Sequence, residues 1–357
     1  MFRQAFAAVV AASALCGGAA AQSTATVVAP PRTCDLPKIA ATVALQSITS
    51  SDLMTVPIAI NGAPKRFLLD IGMNPTEISQ QAVTDLHLPA NPKSTELLQF
   101  GSGASFAAPY QGLDVSIYDV RDGAGGGALQ TSVRLRSFSI GDAATRNMSL
   151  RVSKDVDMGQ SEPYDGLLTG DFLKQYDIEL DFKGRKAVFL TPTRCTDPDQ
   201  IVFWPHSHVT TLPVTVAGDG KLQVQMRVKG HLIQGEIDTS SAYTVMRRDI
   251  AELMLGLKAG ADMMPYGSLE DELGQPVYAV KVPQIAFPGF TALNVTVLIE
   301  TNSLIHNLDR EKILGSNAQF ADARIPDFTI GMDVLQHLHL YVVPAQKRIY
   351  VTEAGNS

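Results

Sequence analysis

Positive charge is in short supply in this sequence. Its 29 Lys and Arg face 36 Asp and Glu, a formal charge of -7, which argues against nucleic acid or an anionic membrane surface as partner. Long apolar runs are missing beyond the N-terminus, and no later stretch approaches the roughly 20 residues of a membrane span. A phosphate loop is missing too. The run Gly123-Ala-Gly-Gly-Gly127 has neither the lysine nor the strand–loop–helix setting and reads as a hairpin tip. His206 with His208, and His337 with His339, lack a third ligand at a metal-site spacing, so neither metal nor other cofactor is expected. Ser102 and Ser240 have no local base, which weighs against a serine hydrolase.

Cysteine is scarce, with three in 357 residues. Residues 1–21 read as an export signal: Arg3 opens it, residues 5–15 are apolar, and Ala19-Ala-Ala21 suits signal-peptidase cleavage. Lipoprotein processing at Cys16 is the weaker alternative, because bulky Leu15 precedes it. The mature protein is then expected in the periplasm or secreted, keeping Cys34 and Cys195. An even pair in an oxidising compartment favours a disulfide over two free thiols.

What is present is mostly period-two strand pattern, broken by Gly, Pro, Asn and Asp, with few and short helical stretches. Residues 22–37 read as a flexible lead-in and 191–210, with Pro192, Pro198 and Pro205, as a linker. Two similar halves remain, 38–190 and 211–354. In the first, Val56-Pro-Ile-Ala-Ile-Asn-Gly62 leads to Phe67-Leu-Leu-Asp70-Ile-Gly72. In the second, Leu222-Gln-Val-Gln-Met-Arg-Val-Lys-Gly230 leads to Gly235-Glu-Ile-Asp238-Thr-Ser240. Each Asp is followed by a short helical pattern, at 79–88 and 246–257. Phe138-Ser-Ile-Gly with Asn147 recurs as Ile285-Ala-Phe-Pro-Gly with Asn294. Leu168-Thr-Gly-Asp171 recurs as Ile330-Gly-Met-Asp333, and these last two Asp read as helix caps. A repeated lone Asp at an apolar strand end suits a shared two-carboxylate site, since acidic residues rarely enter such strands unpaired.

This order of elements resembles the retropepsin-like aspartic proteases, above all exported bacterial members that carry the unit twice. The resemblance spans nearly all of the mature chain. It implies two tandem retropepsin-like (acid protease) β-barrel units in a pepsin-like bilobal pseudo-dimer. Asp70 and Asp238 would be the catalytic pair, supported by Ile71, Gly72, Thr239 and Ser240. Hairpins with tips at Gly101–Gly103 and at Tyr266, Gly267 and Ser268 would be flaps. Two carboxylates about 3 Å apart share one proton, and the ionised one activates the water that attacks a peptide carbonyl.

The motifs depart from the family pattern. Ile71 stands where a hydroxyl would bond across to the other unit, a loss of about 1 kcal/mol. Ser240 places a Cβ where glycine is usual, and Thr169 stands against Gly331. The leading expectation is an exported aspartic endopeptidase acting on peptide or unfolded protein, pairing its motifs within one chain more readily than in a homodimer. The alternative is a catalytically impaired relative that binds peptides or acts as an envelope interaction module. A purely structural envelope protein is the third reading.

Overall fold

The computed structural model describes residue 34 and residues 37–48, 51–72, 76–91, 115–116, 128–129, 132–153, 164–217, 221–270, 276–300 and 326–354. The export signal, the hairpin tip at Gly101–Gly103 and the glycine run at 123–127 lie outside them. The protein is mostly β, built as two similar β-barrel units whose described elements follow one another in the same order. Residues 34–357 form one compact unit.

The repeat legible in the sequence is a repeat of backbone conformation. Met54–Ile60 pairs with Ala63–Leu69, and Leu222–Val228 with His231–Ile237. Each hairpin turns on two left-handed residues: Asn61 and Gly62 at φ 52° and 88°, Lys229 and Gly230 at 48° and 86°. Such paired positive φ values match the right-handed twist of the flanking strands. Asn147 and Asn294 repeat this at 56° and 55°, and Arg185 and Lys347 both sit at 51°.

The returning strand of each hairpin runs beside a short parallel strand, Gly166–Leu168 in the first half and Phe328–Ile330 in the second. Here the two copies exchange volume. Phe67 lies opposite Gly166, while Gly235 lies opposite Phe328, and both phenylalanines are fully buried. A Cβ on Gly166 would strike the Phe67 ring and the Glu77 carbonyl. The large residue has changed strands and the pair's volume is kept, the kind of swap a packed core tolerates.

A six-stranded antiparallel sheet joins the halves. Its order is Ile39–Ala44, Lys186–Leu190, Asp177–Asp181, Leu338–Val343, Arg348–Glu353 and Thr210–Pro213, three strands from each half. The halves meet where Ile178 faces Val342 and Leu180 faces Leu340. The stretch read as a linker is well anchored. Cys34 and Cys195 form a disulfide across 161 residues with Cα atoms 5.5 Å apart. Pro198–Ile201 is a short helix capped by Asp197. Trp204 stacks on His339 at 3.8 Å and donates to Thr352 Oγ1.

Two local expectations need correction. The helical pattern at 246–257 begins as a strand, Val245–Arg247, and only Ile250–Met254 is helical; β-branched and Arg side chains pair there with the strand ending at Glu300. Neither Asp171 nor Asp333 is a cap: Thr169 occupies the N-cap of the helix Gly170–Leu173. Gly331 occupies that of Met332–Leu335, and Asp333, two residues further on, accepts the Thr244 hydroxyl at 2.6 Å.

Candidate functional site

Asp70 and Asp238 stand at equivalent points. Each follows the last residue of its returning strand, where the main chain donates to the parallel neighbour: Asp70 N to Leu168 O at 2.9 Å, Asp238 N to Ile330 O at 3.0 Å. The next residues turn back and cradle the carboxylates. Gly72 N donates to Asp70 Oδ1 at 2.7 Å. Ser240 donates twice to Asp238 Oδ1, from its amide at 2.8 Å and its hydroxyl at 2.6 Å.

The two loops are bonded to each other by one side chain. Thr239 Oγ1 donates to Leu69 O at 2.8 Å and accepts from Ile71 N at 3.1 Å. Ile71 has no hydroxyl to return the bond and is instead buried, 1% exposed. Ser240 needs no left-handed backbone, and neither does Gly72. The expected strain at Ser240 is absent, and its side chain serves as a second donor. Glycine at position 72 matters for space: a Cβ there would come within 3.0 Å of Asp70 Oδ1 and 3.2 Å of Lys221 Cδ.

Lys221 is the residue that the motifs did not announce. Its ammonium lies 3.2 Å from Asp238 Oδ2, 3.7 Å from Asp70 Oδ2 and 3.6 Å from Glu236 Oε1. One ammonium thus bridges both motif carboxylates, which the repeat had placed in separate halves. In the frame that sets Gly62 on Gly230 and Asp70 on Asp238, Lys221 replaces Leu53 and Glu236 replaces Leu68. Both leucines are core residues, and Glu236 is itself 4% exposed. The second copy has exchanged an apolar pair for an ion pair aimed at the aspartates. Two charges standing where the sister copy has leucine was the signal available in the sequence.

The electrostatics follow from this placement. Burial pushes the Asp70 carboxyl above its ordinary range; Lys221 works against that, and the neighbouring Asp238 adds to it. Burial would strip the Lys221 proton, but Asp70, Asp238 and Glu236 outweigh it and hold the ammonium charged well above the usual lysine value. A pair of acids this close relieves repulsion by sharing a proton. Here a lysine supplies the compensating positive charge instead. Removing Lys221 would leave the buried carboxylates without this cation, which costs about 3–5 kcal/mol.

Equivalent threonines brace both loops from behind. Thr76 Oγ1 accepts from Thr169 N at 3.2 Å, and Thr244 Oγ1 accepts from Gly331 N at 3.2 Å. Thr169 fits in its copy, fully buried. In the other copy a Cβ on Gly331 would run into the Tyr243 carbonyl. Of the flap positions, Tyr266 and Gly267 fall in the edge strand Met264–Glu270. Tyr266 is 40% exposed and meets Tyr243, close after Asp238, edge to face at 6.2 Å. Gly267 takes φ 61°.

No family model matches the chain, and no curated protein matches it. Among solved structures it is similar to basic 7S globulin from soybean, at 11% identity and TM-score 0.48, covering 88% of this chain and 96% of that one. It is also similar to conglutin gamma, a basic 7S globulin from lupine seeds, at 12% identity and TM-score 0.46, covering 88% and 95%. The expected membership of the retropepsin-like aspartic proteases is corrected: no model of that or any other family matches the chain. The reading of the site rests on its own geometry.

Proposed function

We propose that the chain is an exported, non-catalytic binding protein for extended peptide or unfolded polypeptide, with Asp70 and Asp238 serving to hold Lys221 and join the two halves. One observation carries this reading: the Lys221 ammonium lies within 3.2 Å of Asp238 and 3.7 Å of Asp70. A water-activating pair needs one carboxylate free to take a proton from water and the other to donate one. Both carboxylates are engaged by the same cation, and Ser240 adds a further donor to Asp238. Extended peptide remains the fitting ligand class because exposed strand edges bind main chain largely independently of sequence. The disulfide suits an oxidising compartment.

A second reading, two-carboxylate peptide hydrolysis after Lys221 withdraws, is favoured by the Thr239 bridge that brings the loops together. One experiment separates the two. The purified mature protein, Asp70→Asn and Asp238→Asn are incubated with a reduced, carboxymethylated protein from pH 3 to 7, with cleavage followed on gels and association by fluorescence anisotropy. Binding without cleavage is the expected result. Cleavage by the wild type that both variants lose would overturn the binding reading in favour of hydrolysis.

A further inference from the structure

A cavity of about 600 Å³ lies in the second half, separate from the carboxylates bridged by Lys221. Its walls are the end of the linker at Ser207, His208 and Thr210, the strand that begins at Phe290, one face of the turn after Gly331, and the last strand at Val351–Glu353. Every consecutive residue from Gly289 to Thr296 lines it. A sheet face presents only alternate residues, so an unbroken run means that the cavity lies along the strand's edge. The pairings agree. On one side Phe290–Glu300 is bonded to Pro276–Phe287 along most of its length. On the other side Val245–Arg247 reaches only Leu298, Ile299 and Glu300. Among the described residues, no strand pairs with that second edge from Phe290 to Val297.

The floor is apolar, with Val295, Val334 and Val351 buried and Phe290 and Leu338 half-buried. The formally charged residues of the lining are Asp333 and Glu353, both acidic. Thr210 closes one end, its hydroxyl donating to Gly289 O at 3.3 Å. An open strand edge over an apolar floor takes another strand: main-chain bonds give affinity and alternate side chains enter the floor. The left-handed Asn294 kinks the edge, so the added strand is short.

We infer that this cavity is a second binding site, taking a short extended peptide segment that carries an apolar residue flanked by basic ones and adds to the free edge of Phe290–Val297. The inference is independent of the reading given to Asp70 and Asp238. The probe is a fluorescein-labelled peptide, Lys-Leu-Val-Leu-Lys, compared with its backbone N-methylated form and with Glu-Leu-Val-Leu-Glu. Saturable binding is expected for the first and at least tenfold weaker binding for the N-methylated form, with slowed amide exchange across residues 290–297. Glu353→Lys, an exposed change, should weaken the basic peptide several-fold and improve the acidic one. Absence of saturable binding, equal binding of the N-methylated peptide, or no change in exchange at 290–297 would each overturn the inference.

Discussion

Thr239 of the second half bonds twice to the main chain of the first half's motif, its hydroxyl donating to Leu69 O at 2.8 Å while accepting from Ile71 N at 3.1 Å. One side chain therefore satisfies two main-chain groups beside Asp70, on a segment that is itself buried. Ile71 offers no hydroxyl in return, so the bond from this hydroxyl and the Lys221 ammonium shared by Asp70 and Asp238 link the two motifs.

Thr239→Val keeps the shape and removes the hydroxyl. Leu69 O and Ile71 N would then be orphaned, at about 1–3 kcal/mol for each buried group. Chemical denaturation should show a loss of that order, and Thr239→Ser should recover most of it. A loss no larger for Val than for Ser would show that the bridge contributes little.

Lys221→Met should be more damaging at neutral pH. Asp70, Asp238 and Glu236 would face one another with no cation between them, a cost of about 3–5 kcal/mol at pH 7. Asp70 already has a raised pKa from burial, and without Lys221 it rises further. A raised acid pKa penalises the folded state above that pKa, so the deficit should shrink as pH falls and the carboxyls protonate. Thermal melts of wild type and variant from pH 4 to 8 should converge on the acid side.

Lys221 also marks the boundary of what the sequence disclosed. The hairpins, the paired glycines and both Asp positions were legible because the copies repeat residue for residue at turns and strand ends, where few residue types fit. The bridging cation shows only as a departure, a lysine where the sister copy has Leu53, since a lysine before a strand by itself reads as surface. The supporting loops were half legible. Thr239 bonds across as expected of a hydroxyl, whereas Ser240 turned from a steric liability into a donor, because the backbone there is not left-handed. Asp333 looks like a cap in the sequence because Thr244, which donates to its carboxylate, lies 89 residues away.

Asp177 supplies a different pH signal. Fully buried in the joining sheet, its carboxyl is pushed up to about 6 by burial, although Thr193 N and the Tyr341 hydroxyl favour its charged form. The ordinary value for such a carboxyl, which the unfolded chain takes as reference, is 3.8. The folded state therefore holds the proton more tightly, and this group adds stability as pH falls from about 6 towards 3.8 and subtracts it above. Asp177→Asn should be stabilising at pH 7 by about 1 kcal/mol or more, and should flatten the melting temperature between pH 4 and 7. An unchanged slope would exclude Asp177 as its source.

Glycine substitutions should separate rigid from yielding contacts. Gly331→Ala drives a Cβ into the main chain of Tyr243, which cannot step aside. Gly235→Ala meets side-chain ends alone, Met226 Cε at 2.7 Å and Ile330 Cδ1 at 3.3 Å, and the methionine is flexible enough to rotate away. Expression and melting temperature should fall sharply for the first, on the overpacking scale of about 1–3 kcal/mol or more, and little for the second. Comparable losses would show that Met226 is locked in place.

The strand Arg348–Glu353 lies between Leu338–Val343 and Thr210–Pro213, so its arrival decides when the middle of the molecule can assemble. A ribosome must release these residues before the strand at 210–213, made well over a hundred codons earlier, has anything to pair with. Until then the nascent polypeptide stays unlocked. A stop codon shortly before position 348 would therefore unpick two strands at once, one of them far upstream of the lesion.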